Sequence, residues 1–154
     1  VKSMSAGYKR PESVLVVIHT PDLQILLLER AKHPGYWQSV TGSREDGEPF
    51  LDTAVREVHE ETGLQIDRKQ LRIWPGENIY TIMPEWRHRY APDVTHNRER
   101  VFSLSLPTTC NITIAPAEHR AWRWMACEEA AAACFSASNR EAILALKALP
   151  PIIA

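Results

Sequence analysis

The sequence predicts one α/β domain, a mixed sheet with few helices. Three observations predict it. Short β-branched or alternating apolar runs recur along the chain, separated by turn residues. One stretch among them, 48–63, switches to helical periodicity. The 154 residues suit a single domain spanning 1–154, since domains run about 100–200 residues, and no repeat, low-complexity tract or long linker divides them.

Residues 12–20 are apolar almost throughout, as in a strand buried on both faces. Thr20-Pro21-Asp22-Leu23 is a turn, so 24–29 is expected to complete a hairpin. Residues 37–41 form a third short strand before the turn-rich 42–47. A helix then starts with Pro49 at its first position, buries Leu51, Ala54, Val55 and Val58, and stops at Gly63. Short strands are expected at 71–74, 79–83, 86–90, 100–106, 112–114 and 120–125. Residues 128–133 are alanine-rich and helical, and 139–149 form a last helix, capped by Ser138 and closed by Pro150-Pro151.

Eighteen Lys plus Arg against nineteen Asp plus Glu give a formal charge of -1, with 44% hydrophobic and 24% charged residues. Such a balance argues against a disordered chain and against a sequence-independent grip on nucleic acid or membrane. Cys110, Cys127 and Cys134 are odd in number and lack CxxC spacing, so a reducing compartment fits better than a disulfide framework or zinc site. No apolar run approaches the roughly 20 residues of a membrane span, and residues 1–4 show no secretory h-region. A cytoplasmic protein without an obligate protein partner is expected.

The chemistry concentrates in 42–64. Glu57, Glu60 and Glu61 stand at i, i+3 and i+4, so all three share one side of the helix. Like charges so placed destabilise a helix by about 0.2–0.5 kcal/mol per pair. A divalent cation reverses that sign, and hard oxygen donors select Mg²⁺ or Mn²⁺. Leu51, Val55 and Val58 on the opposite face would anchor the helix to the sheet. Arg56, one turn from Asp52 and Glu60, would pin a carboxylate. Gly42 would admit close approach because it lacks a Cβ. Taken alone, the glutamates fit a solvated acidic face better, since most such clusters are that.

The wider pattern is more specific. Gly42, Glu48 and Arg56-Glu57-Val58-His59-Glu60-Glu61-Thr62-Gly63-Leu64 fit the Nudix box, Gly-x5-Glu-x7-Arg-Glu-U-x-Glu-Glu-x-Gly-U with U aliphatic, at every fixed position. The chain therefore resembles a Nudix hydrolase. The resemblance implies an α/β/α sandwich and Mg²⁺-dependent attack of water on a polyphosphate phosphorus, with Mn²⁺ as an alternative ion. It implies Glu57 and Glu61 as principal metal ligands, Glu60 as a further ligand or base, and Glu48 as the partner that positions Arg56.

Tyr8-Lys9-Arg10-Pro11, the 37–43 run, Arg87-His88-Arg89-Tyr90-Ala91-Pro92, Glu118-His119 and Ser136-Ala-Ser-Asn-Arg140 resemble one branch of that family. This branch acts on dihydroneopterin triphosphate in folate biosynthesis and releases pyrophosphate. Thr41-Gly42-Ser43 replaces the common Pro-Gly-Gly in the manner of the branch. The resemblance implies Glu118 as an extra metal ligand or base. It implies Lys9, Arg30, Thr41, Tyr80, Thr81, Ile82, Met83 and Ser136 as substrate contacts. Singly, each has a plainer reading: a strand end for Arg30, core packing for Ile82, a helix cap for Ser136. The basic residues 87–90, with Lys9, Arg10, Arg98 and Arg100, would surround a small triphosphate with positive potential. Two alternatives remain open, a deoxynucleoside triphosphate such as dATP as substrate and a non-catalytic Nudix-fold nucleotide sensor. An isomerase on this fold would want a cysteine near the box, and none lies there.

Overall fold

The structure is a computed structural model and describes residues 7–149. Its strands are β1 (Glu12–His19), β2 (Gln24–Arg30), β3 (Trp37–Gln38), β4 (Val40–Ser43), β5 (Leu71–Ile73), β6 (Asn78–Thr81), β7 (His96–Ser105) and β8 (His119–Ala126). The helices are α1 (Phe50–Thr62), α2 (Cys127–Ala133) and α3 (Ala137–Ala145). The sheet is mixed and ordered β3-β2-β1-β7-β5, with β4 on β1, β6 on β7 and β8 on β2. β1 and β7 are parallel from Glu12↔Arg98 to His19↔Ser105, and the other pairings are antiparallel.

β1 is apolar at successive positions because both of its faces are covered. Val14, Val16 and Ile18 join Ala54 and Val58 of α1 on one side. Leu15 and Val17 join Ala130 and Ala131 of α2 and Ala142 and Ile143 of α3 on the other. The result is the expected α/β/α layering. Each fully buried Val, Leu or Ile contributes about 1.5–3 kcal/mol. Among the described residues no helix is long and apolar enough to cross a membrane.

Several expectations change on inspection. β1 and β2 pair only next to their turn, at His19↔Ile25, and then part. β4 fills the gap on β1 with four register pairs, while β2 turns to β8. The expected third strand is accordingly split at Ser39, where the chain leaves β2 for β1. Residues 86–90 are not a strand: Pro84–Arg89 is a 3₁₀ turn with Pro84 at its start and Trp86 N donating to Met83 O at 2.9 Å. Proline supplies the turn φ and no ladder donor. Residues 112–114 run extended outside the sheet, with Thr113 N on Thr62 O at 3.0 Å. β7 begins four residues earlier than expected, because its charged start alternates exposed His96, Arg98 and Arg100 with buried Asn97 and Glu99. Pro49 flanks α1 rather than opening it. Ser136, not Ser138, caps α3, accepting from Asn139 N at 3.4 Å. Pro150, Pro151 and residues 1–4 lie outside the described residues.

Candidate active site

α1 packs its acidic edge inward. Glu57 and Glu61 are 8% and 1% exposed, together with Ala54 and Val58, whereas Leu51 and Val55 are only half-buried. The expected division into an apolar anchoring face and a separate carboxylate face therefore does not hold. Gly42 of β4 makes the inward packing possible. A Cβ there would lie 2.6 Å from Glu57 Cγ and nearer still to its carboxyl group, so only glycine leaves room for this side chain. Glu60 does not join the pair: its side chain is 51% exposed at the rim.

Arg56 braces the group. Its guanidinium donates to Glu48 Oε2 at 2.8 Å and Oε1 at 2.9 Å, to Ser43 O at 3.0 Å and to Glu57 Oε1 at 2.6 Å, with Glu60 at 3.3 Å. Thr53 Oγ1 and Glu45 N also donate to Glu48. These donors, Arg56 foremost, hold the Glu48 carboxyl down at about 2. Asp52, expected beside Arg56, pairs instead with Arg68 at 3.1 Å.

Burial pushes the Glu57 carboxyl up to about 7. Glu61 lies well above the usual carboxylate range because it is buried beside Glu57 and near Glu118. Both Glu61 oxygens are buried without a hydrogen-bond partner. A buried carboxylate so deprived costs several kcal/mol unless a cation or proton compensates.

The facing wall comes from the start of β8. Register slips between Glu29 and Arg30, where Glu29 faces Ala121 but Arg30 faces His119. Such a bulge bends a strand and re-aims its side chains. Ala31 N donates to Glu118 O at 2.9 Å, which fixes the loop ahead of it. His119 is 3% exposed, and its Nε2 lies 3.7 Å from Glu61 Oε1. Burial, aided by Arg30, drives its imidazole down to about 4, so it is neutral at physiological pH.

Cations gather beside the carboxylates. Lys9 is held near Arg89 by its backbone N on Arg89 O at 2.8 Å, and its Nζ lies 5.7 Å from the centre of the Tyr90 ring. Burial, then Arg89 and Arg30, lower its ammonium to about 8, while Glu57 and Glu118 pull the other way. Arg30 bonds Gln38 Oε1 at 3.2 Å and sits over the Trp86 ring at 5.0 Å. Trp86 in turn touches the His33, Tyr36 and Phe135 rings.

Glu57, Glu61, Glu118, Lys9 and Arg30 are thus brought into mutual electrostatic reach. The other expected contacts have partners or burial of their own within the protein. The Thr41 hydroxyl donates to Val14 O at 2.9 Å. The Tyr80 hydroxyl accepts from Asn97 Nδ2 at 3.0 Å, Ile82 is buried, and Met83 precedes the 3₁₀ turn. Thr81 is exposed and lies 3.3 Å from His96 Nε2. Ser136 caps α3. Sequence reasoning missed Gln38, His119 and Asn139. Asn139 ties α3 to the strand break, accepting from Ser39 N at 2.8 Å and donating to Ser39 Oγ at 2.9 Å. All three fall inside the runs that resemble the branch (37–43, Glu118-His119 and Ser136-Ala-Ser-Asn-Arg140), but sequence reasoning gives them no role there.

The donor set fits a divalent cation. Ligand atoms of Glu61, Glu118 and His119 lie within 4.8 Å of one another among the described residues, and the orphaned Glu61 oxygens point to a missing positive charge.

The chain is similar to known proteins. The family model described as NUDIX domain matches residues 9–146. Dihydroneopterin triphosphate diphosphatase of Escherichia coli (strain K12) is 44% identical over 139 residues, covering 88% of this chain and 91% of that protein. The protein of the same name from Haemophilus influenzae is 37% identical over 139 residues, covering 88% and 87%. The solved structure of the E. coli dihydroneopterin triphosphate pyrophosphohydrolase superposes with a TM-score of 0.82 at 44% identity, over 88% of this chain and 94% of that one.

Proposed function

The chain belongs to the NUDIX domain family, and from that premise we propose that it hydrolyses dihydroneopterin triphosphate to dihydroneopterin monophosphate and pyrophosphate. The proposed metal ligands are Glu57, Glu61 and Glu118, and the proposed ion is Mg²⁺, with Mn²⁺ as a substitute. The observation that carries the reading is the pair of buried glutamates on α1, with the Glu61 oxygens unpartnered, opposite Glu118 and beside Lys9 and Arg30. The similarity to dihydroneopterin triphosphate diphosphatases over most of both chains supports the substrate.

A divalent ion, when bound, neutralises charge on phosphate oxygens and acidifies a coordinated water. The protein supplies positioning and fixed charge, which is most of what phosphoryl transfer asks of it. Lys9 and Arg30 take phosphate oxygens, and Arg89 adds positive potential behind them. Burial first, and then repulsion from Arg89 and Arg30, lower Lys9, and a polyanion would relieve the repulsion. Arg56, clamped by Glu48, keeps Glu57 in place without entering the reaction. Glu118 is the better placed base, because its carboxylate approaches Glu61, whereas Glu60 turns to Arg56 at the rim. Residues 80–83 form the wall proposed to receive the pterin, whose flat ring suits Tyr80 and the polarizable Met83.

The test is pyrophosphate release from dihydroneopterin triphosphate and from dATP in Mg²⁺, compared by kcat/KM. A preference for the pterin is expected, and a preference for dATP would overturn the substrate. Glu61→Gln should lose turnover by orders of magnitude. A wild-type chain that binds either compound without turnover would instead be a sensor.

A further inference from the structure

We infer that His119 is itself a ligand of the divalent metal, through Nε2, so that the site is a mixed oxygen and nitrogen site rather than an all-carboxylate one. The inference rests on the reading above in which Glu61 and Glu118 hold the ion, and it adds a residue the Nudix box does not contain.

Geometry comes first. The Glu61, Glu118 and His119 donor atoms lie within 4.8 Å of one another, drawn from α1, the loop before β8, and β8 itself. Ligands about 2.1 Å from one ion are about 3.0 Å apart when adjacent and about 4.2 Å apart when opposite. The 3.7 Å between His119 Nε2 and Glu61 Oε1 lies between these two values, and a shift of about 0.5–0.7 Å brings the pair to one or the other. The distance is too long for a hydrogen bond. The two buried side chains therefore face each other across a gap that neither closes, and both Glu61 oxygens remain without a donor.

The orientation of the imidazole follows from its neighbours. Arg30 Nη1 can only donate, so the Gln38 oxygen must be the atom that meets it at 3.2 Å. The Gln38 amide nitrogen is then the atom turned to His119 Nε2, at 3.5 Å. A donor facing Nε2 makes that nitrogen the acceptor and puts the ring proton on Nδ1, which is buried and meets no acceptor of the protein. This is the tautomer that ligates a metal through Nε2. The long contact to Gln38 is easily exchanged for an ion. Gln38 thus links the Arg30 that meets phosphate to the histidine that meets metal.

The consequence is a shifted metal preference. Imidazole favours Co²⁺, Ni²⁺ and Zn²⁺ over Mg²⁺ and Mn²⁺ more than a carboxylate does. His119→Gln should therefore weaken Co²⁺ binding on the order of tenfold or more and change Mg²⁺ binding much less.

The experiment uses the full chain loaded with Mn²⁺ alone. Pulsed electron paramagnetic resonance of the wild type should show a directly coordinated ¹⁴N. That coupling should be lost in His119→Gln and replaced by a ¹⁵N coupling when histidine is isotopically labelled, with circular dichroism confirming that the variant folds. A wild-type Mn²⁺ complex that depends on Glu61 but shows no nitrogen coupling would overturn the histidine ligand and leave the carboxylate site standing. Mn²⁺ binding that survives unchanged in Glu61→Gln would overturn the site itself, and the histidine assignment with it.

Discussion

Gly42→Ala isolates the contact on which the buried carboxylates depend. Gly42 is not among the glycines with positive φ, so alanine fits its backbone. On chain entropy alone the exchange should stabilise the fold by about 0.4–1 kcal/mol. Against this stands the added Cβ, which would fall 2.6 Å from Glu57 Cγ and closer to the carboxyl group. Glu57 must then leave its place and lose its 2.6 Å bond to Arg56. A charge-assisted bond of that kind contributes about 1.5–3 kcal/mol, and overpacking costs roughly 1–3 kcal/mol. Release of a buried carboxylate to water offsets part of the loss. The expected net destabilisation is about 1–2 kcal/mol, or a fall in Tm of about 2–8 °C for a chain of this size. The larger effect is on metal: with Glu57 displaced, the rise in Tm that Mg²⁺ gives the wild type should largely vanish, and turnover with it. Thermal unfolding with and without Mg²⁺ measures both. An alanine variant that gains stability and keeps the full Mg²⁺ shift would refute the close approach of Glu57 to β4 as a requirement of the site.

Two further predictions concern the same carboxylates. Burial raises Glu57 from 4.5 to about 7 and Glu61 in the same direction, so the folded chain holds protons that the unfolded chain has released. Their contribution to stability is therefore present at low pH and is lost as pH rises from about 4.5 through about 7, by about 3 kcal/mol for Glu57 alone. His119, lowered from 6.5 to about 4, opposes this by favouring the fold as pH rises through that range. Mg²⁺ must displace the carboxyl protons, so its stabilising effect should grow between about pH 6 and 8; a Mg²⁺-induced shift in Tm that is flat over this range would count against it. Arg56→Lys should lower stability by about 2 kcal/mol, since an ammonium cannot reproduce the fork to Glu48. The same exchange at Arg68, an exposed partner of Asp52, should cost under about 1 kcal/mol; equal losses at the two positions in urea unfolding would contradict the bracing role.

The parts legible in the sequence were those set by local pattern. β1 shows itself by its unbroken apolar run, α1 by the change of period at Glu48, and the candidate carboxylates by the spacing of Gly42, Glu48, Arg56, Glu57 and Glu61. The rest depended on tertiary competition. Thr20-Pro21-Asp22 marks a turn, but nothing local says that β4 will take the edge of β1 that a hairpin would give to β2. Residues 86–90 alternate like a strand, and Pro84 overrides the alternation. The expected strand begins only at residue 100, and nothing local shows that Asn97 and Glu99 ahead of it will be buried between β1 and β6. The inward turn of Glu61 was hidden for a related reason: a fully buried carboxylate is intelligible only once Glu118 and His119, more than fifty residues away, arrive opposite it.

The two sets of charge at this site do not cancel each other. Glu57 and Glu118 pull the Lys9 ammonium upward, yet burial, Arg89 and Arg30 outweigh them. Arg30 is likewise lowered despite Glu61 and Glu118. Nor does Arg56 keep Glu57 from rising. Burial is the largest cause in each case, so each set would gain from a counter-charge that shares its burial, the carboxylates from a cation and the basic cluster from an anion. A small ligand carrying both signs in fixed order, a triphosphate with its divalent ion, supplies both at once. A lone polyanion would leave the Glu61 oxygens unmatched, and a lone metal would leave Lys9 and Arg30 repelling one another. Metal and triphosphate should therefore bind with positive coupling, each tightening the other by the same factor.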